Sequence, residues 1–233
     1  MGIDMEISSK RVYEVLRSKG VDCIYHANSV ITSCQFLRKG ALLSRGTVER
    51  SGLYQTKQMS DDADKNLGIW FDVFADSVDI HARAKKANVY GPVLFVLDVE
   101  LISKAYTGKV WVTKLNPTKW YAKKHEERWF VSPIDLEETF VTGRFDQMIV
   151  FRHCGGELPI TKYLKKIILD DPNLVTASKI DYYSMAYGAL KLAMTEGDIS
   201  IPVSKRKCPR NCTCHDEYEN DLERSKTMYV PRI

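Results

Sequence analysis

The run from Gly91 to Ile102, GPVLFVLDVELI, constrains the fold more than any other stretch of the chain. It is β-branched and aromatic, and Asp98 and Glu100 interrupt it far short of the roughly 20 apolar residues a membrane-spanning helix needs. Such a run reads as a central strand, which requires cover on both faces. The flanking sequence supplies helices for that cover. Ser8 or Ser9 caps a helix reaching Lys19, with Val12, Val15 and Leu16 inward and Gly20 as its stop. Ser29 to Lys39 sets Val30, Ile31, Cys34, Phe36 and Leu37 at helical spacing ahead of Gly40, and Ala177 to Met194 repeats the pattern. Further strands are expected from Val21 to Tyr25, within GIWFDVFADSVDIH from Gly68, from Val110 to Asn116, and in FDQMIVFR from Phe145 to Arg152. The expected class is mixed α/β (α+β), and without an internal repeat it is neither solenoid nor propeller.

A length of 233 residues suits one main core with a small appendage. The division expected is a domain over residues 1–200 and a basic, Cys/His-containing tail over 201–233. A composition 44% hydrophobic and 27% charged excludes a disordered chain, and a net charge of +4 permits an anionic partner without demanding one. MGIDMEISSK has no apolar leader core, and Met5 and Glu6 weaken its Met-Gly likeness to a lipidation start. The compartment expected is the reducing cytoplasm, with Cys23, Cys34 and Cys154 as buried thiols and no membrane partner.

Candidate chemistry concentrates between Ile24 and Arg50. A strand ending on Tyr25-His26, a short helix and a polar loop with Ser44, Arg45 and Arg50 place hydrogen-bonding groups on a cleft rim where a nucleotide could lie. The polar stretch from Gly52 to Gly68, with Tyr54, Gln58 and Asp61, reads equally as a functional loop or a solvated excursion. His81 reads first as a hydrogen-bonded residue at a helix end. Between Trp120 and Trp129, aromatics interleave with Lys123, Lys124 and Arg128, which suits stacking on bases or, alternatively, an edge with both tryptophans packed inward. Near the end, Cys208, Cys212, Cys214 and His215 fall within eight residues. Three thiols and an imidazole are a ligand set for tetrahedral zinc, although the C-x3-C-x-C-H spacing departs from paired ligands across a loop. A mobile basic tail and a docking segment are the competing readings.

The order of these segments resembles DarT-type ADP-ribosyltransferases. IYHANSVITSCQFLRKGALLSR looks like the family's opening strand, helix and turn, GIWFDVFADSVDIH like its aromatic strand, GPVLFVLDVELI like its central strand, and FDQMIVF with LPITKYLKKIIL like the segment of the catalytic glutamate. The resemblance implies a split β-sheet with peripheral helices and transfer of ADP-ribose from NAD to a DNA or RNA base, in a toxin that an antitoxin protein neutralises in anti-phage defence. It also implies an NAD site of His26, Asn28, Ser44, Arg45 and Tyr54, with His26 on a ribose. The diphosphate falls to Arg45 or Arg50, with Lys57 or Lys65 as stand-ins. At the glutamate position the chain has Gln147 beside Asp146, so the catalytic group expected is Asp146, with Gln147 and Glu157 as alternatives and Arg45 assisting. A protein acceptor, or a non-catalytic nucleic-acid-binding protein on the same fold, are the other functions weighed.

Overall fold

The computed structural model describes residues 7–105 and 109–231, so the start from Met1 to Glu6 with its Met-Gly pair lies outside the described residues. Its strands are β1 (Ile7–Ser8), β2 (Cys23–Asn28), β3 (Ala41–Leu43), β4 (Val73–Ala75), β5 (Val93–Asp98), β6 (Lys109–Val112), β7 (Ile149–Phe151), β8 (Glu157–Pro159), β9 (Leu164–Leu169) and β10 (Val203–Lys205). Its helices are α1 (Ser9–Ser18), α2 (Val30–Lys39), α3 (Arg45–Arg50), α4 (Asp61–Asn66), α5 (Ile80–Ala84), α6 (Leu101–Lys104), α7 (His125–Arg128), α8 (Pro133–Thr139), α9 (Tyr182–Glu196), α10 (Cys214–Asn220) and α11 (Leu222–Tyr229). The class is mixed α/β, as the sequence predicts.

Strand β5, the core of the apolar run, sits inside a four-stranded sheet of order β10-β9-β5-β2. It pairs antiparallel with β2 from Cys23↔Asp98 to Asn28↔Val93, and antiparallel with β9 on its other side. Its Val93, Phe95 and Leu97 are fully buried, each contributing about 1.5–3 kcal/mol by leaving water. A second four-stranded sheet runs β1-β6-β7-β4, and β3 pairs with β8 alone. The two larger sheets touch at their edge strands: Tyr25 and Asp76 exchange backbone hydrogen bonds of 2.9 and 2.8 Å. Gly91 permits the close approach of β5 to the end of β2, since at φ +146° a Cβ there would lie 2.2 Å from the Asn28 carbonyl carbon. Among the described residues no helix is long and apolar enough to cross a membrane.

Local signals place the helix ends well. Ser8 accepts from the Arg11 N–H at the start of α1, and Gly40 ends α2 in the left-handed conformation at φ 65°. Several segments differ from expectation: β2 lies over Cys23–Asn28 rather than Val21 to Tyr25, β6 stops at Val112 short of Asn116, and α9 starts at Tyr182 rather than Ala177. The polar loop after Gly40 contains α3, because Ser44 Oγ accepts from the Thr47 N–H at 3.1 Å and starts a helical turn. The expected strand from Phe145 begins only at Ile149, since the Gln147 N–H closes a turn on the Arg144 carbonyl at 2.9 Å. The C-terminal stretch does not trail away: β10 joins β9 in parallel, and Cys214, Tyr218, Met228 and Tyr229 are buried in the main core.

Candidate functional site

Beside the β2–β4 junction lies a cleft lined from both sheets and from the loop that carries α3 and α4. One wall comes from β4 and the turn before it, which the Asp72 N–H closes on the Ile69 carbonyl at 3.0 Å: Trp70, Asp72, Phe74 and Asp76 all line the cleft. From β2 come His26 and Asn28, and Tyr90, Met148 and the turn from Asn116 to Thr118 complete the lining.

His26 Nδ1–H donates to the Phe74 carbonyl at 2.8 Å, which leaves Nε2 as the acceptor of a neutral imidazole. Burial holds its pKa below the ordinary histidine range, against the opposing effect of the Phe74 bond. Nε2 is itself buried without a hydrogen-bond partner among the described residues, and the Phe36 ring centre lies 5.6 Å from that of the imidazole. At the β2–β4 junction, burial alone raises the Asp76 carboxyl to about 7. Asp72 rises to about 6 through burial, which outweighs Arg152 at 3.0 Å. Tyr90 is raised by burial and then by the Asp76 charge. Acids with raised pKa values in one cleft make it the candidate site.

Of the residues the resemblance implies, His26, Asn28, Ser44 and Arg45 line this cleft, whereas Tyr54, 41% exposed, does not. Ser44 is occupied in capping α3, and Asn28 Oδ1 accepts from the Ser29 N–H. Arg45 pairs with Asp61 through Nε–Oδ1 at 2.5 Å and Nη2–Oδ2 at 2.7 Å, and Nη2 also donates to the Thr56 carbonyl. That pairing sets a carboxylate against its charge and ties the loop to α4, and among the described residues Nη1 has no hydrogen-bond partner. Arg50 and Lys57 are exposed, and Lys65 is held by Glu49 at 2.8 Å.

Asp146 lies behind the Asn116–Thr118 rim, outside the lining, with Lys119 Nζ at 2.7 Å. Burial works to raise its pKa, but the Lys119 and Asn116 hydrogen bonds hold it below the usual carboxylate range. Glu157 is exposed on β8 and does not line the cleft. Gln147 is placed away from the cleft: 4% exposed, it accepts from the Val141 N–H at 2.7 Å and donates to the Thr139 carbonyl at 3.3 Å. Its role there is to satisfy buried backbone groups. Gln147→Ala is therefore expected to lose about 1–3 kcal/mol in chemical denaturation while leaving any activity of the folded protein within about twofold. A variant that stays stable and loses activity would put Gln147 back in the site.

Trp120 and Trp129 are both 2% exposed and meet edge-to-face at 4.7 Å, with the Arg128 guanidinium 5.6 Å over Trp120. They are core residues here and cannot stack on bases. Tyr121, 95% exposed, is the aromatic of that segment presented to solvent.

The three C-terminal cysteines do come together, but with a different imidazole from the one expected. Cys208, Cys212 and Cys214 cluster with His81 from α5, and His215 is exposed and outside the group. Sequence spacing favoured His215 because it is adjacent, and nothing local marks His81 as the partner. Asp72 and Asp76 were also missed as site residues, because one sits in a turn and the other just past a three-residue strand, where no periodic pattern marks them. No protein-family model and no curated protein matches the chain.

Proposed function

We propose that the chain is an NAD-dependent ADP-ribosyltransferase acting on a base of single-stranded DNA or RNA. The observation that carries this reading is the pairing, in one cleft, of an unpartnered buried acceptor, His26 Nε2, with a buried carboxyl group, Asp76, that no cation faces among the described residues. A neutral imidazole acceptor takes a hydroxyl, such as one on a ribose. A buried carboxyl kept partly protonated by desolvation gains most from a ligand that brings positive charge. NAD offers both, because its nicotinamide ring is cationic before cleavage and the ribose is oxocarbenium-like during it. Asp76 then stabilises charge that develops at the ribose, and its own proton passes to solvent when the cation enters.

In the reaction the bond from ribose C1′ to nicotinamide breaks, with its electron pair leaving on nicotinamide. A base nitrogen bonds to C1′ and releases its proton to a carboxylate or to solvent. Trp70 and Phe74 give the cleft apolar walls against which a flat ring can lie. The acceptor class draws support from the rim. The Asn116–Thr118 turn lines the cleft, and Tyr121 follows it closely with Lys123 and Lys124, a solvent-facing aromatic among cations of the sort that meets unpaired bases. A transferase of this kind would work in the cytoplasm, where NAD and nucleic acid meet, and would need an antitoxin protein to restrain it, so the proposal includes such a partner.

The test is nicotinamide release from NAD in the presence of single-stranded nucleic acid. His26→Ala removes a hydroxyl acceptor and is expected to lower kcat/KM by about 10- to 100-fold, chiefly through KM. Unchanged kinetics in a folded His26→Ala variant would remove the ribose contact from the proposal.

A further inference from the structure

We propose that His81, Cys208, Cys212 and Cys214 bind one zinc ion, which fastens the C-terminal segment to the helix that follows the cleft wall. The four ligand atoms already lie within 4.8 Å of one another. Cys212 Sγ is 3.3 Å and Cys208 Sγ 3.9 Å from His81 Nε2, and Cys208 and Cys214 sulfurs are 3.4 Å apart. Tetrahedral zinc with bonds of about 2.3 Å to sulfur and about 2.0–2.1 Å to nitrogen sets such atoms roughly 3.5–3.8 Å apart. The sulfur separation is far beyond the about 2.05 Å of a disulfide, and all three cysteines are free thiols.

The surroundings orient the imidazole for a metal. His81 is fully buried, and its Nδ1–H donates to Asp170 Oδ2 at 2.7 Å, which directs the Nε2 lone pair toward the sulfurs. A carboxylate behind a ligating histidine fixes its tautomer and raises its basicity. Asp170 is held in turn by Tyr218 OH at 2.7 Å and by Arg206, whose Nη1 also bonds Asp79 Oδ2 at 2.6 Å. The local chain explains how C-x-C can converge on one ion. Asn211 turns in the left-handed conformation at φ 62°, and α10 begins at Cys214, so the alternation that would point Cys212 and Cys214 apart is broken.

Four protein donors close the coordination sphere, which marks a structural rather than a catalytic site. On binding, three thiols release their protons to solvent and the imidazole stays neutral. The ion would join α5 to the loop before α10, where the Thr213 N–H already donates to the Lys85 carbonyl at 2.9 Å. Because α5 starts shortly after Asp76, the same ion holds one end of the cleft wall.

The experiment is elemental analysis of the purified full chain with its variants. About one zinc per chain is expected in the wild type and in His215→Ala, falling below about a tenth in His81→Ala and Cys214→Ser. To separate ligand loss from misfolding, wild-type protein is stripped with a chelator and probed by limited proteolysis. Cleavage between residues 206 and 222 should appear on stripping and disappear when zinc is restored, and cobalt(II) in place of zinc should give the visible bands of tetrahedral thiolate coordination. Metal-free wild type that takes up neither zinc nor cobalt overturns the proposal. So does zinc that survives His81→Ala and is lost in His215→Ala.

Discussion

Asp76→Asn is expected to lower ADP-ribose transfer by about 100- to 1000-fold and at the same time to stabilise the protein above neutral pH. Both effects follow from one fact: burial lifts this carboxyl to about 7, and among the described residues no cation offsets it. In the unfolded chain the group loses its proton near about 3.9. Between those values the folded state holds a proton the unfolded state has released, so stability falls as pH rises through the interval. The whole interval is worth at most about 4 kcal/mol, and a cleft open to water reduces that to about 2 kcal/mol. Asparagine keeps the shape without the charge, so the variant should gain thermal stability at pH 8 and match the wild type near pH 4. Transfer by the wild type should rise with pH through about 7 as Asp76 ionises. A substitution that stabilises and inactivates together identifies a group retained for chemistry. Asp76→Asn that loses stability and keeps transfer would make Asp76 a structural residue instead.

The second large effect is on folding. Asp170→Ala is expected to cost about 3–5 kcal/mol in urea denaturation, because it strands charges and donors in the interior. Asp170 is 2% exposed and receives the His81 ring, the Tyr218 hydroxyl and the Arg206 guanidinium, the last on a side chain only 5% exposed. Without the carboxylate, Arg206 retains Asp79 alone, and two donors lose their acceptor. Asp170→Asn keeps the shape and one acceptor and should lose less. A cost under about 1 kcal/mol for the alanine variant would mean that water replaces these contacts and that the cluster is not a keystone of the C-terminal packing.

What was legible in the sequence was local. The β5 run, the Ser8 cap and the Gly40 stop each depend on neighbours within a few residues, and each has its structural counterpart. The place of His26 was legible only in part: the strand expected to end on Tyr25-His26 runs on to Asn28, so His26 lines the cleft from within β2, with Nε2 buried, rather than from a strand end. What was hidden depends on contacts between distant segments. In the sequence Asp72 reads as part of a buried strand and Asp76 as the start of the short helix after it, and only the Tyr25–Asp76 bridge, which brings β2 beside β4, sets both at one cleft. His81 is 127 positions from Cys208, so no spacing rule could pair them. Gln147 and the two tryptophans carry the opposite lesson. A polar group or an aromatic-cation pattern looks the same in sequence whether it serves a ligand or, as in these three, backbone groups and core packing.

The proposed activity is tested most directly by incubating the purified chain with adenine-labelled NAD and separate pools of single-stranded DNA, RNA and protein. The account predicts label on one of the nucleic-acid pools, with equivalent release of nicotinamide, and its loss in Asp76→Asn. Label confined to protein, or no transfer to any pool by folded chain, would contradict it.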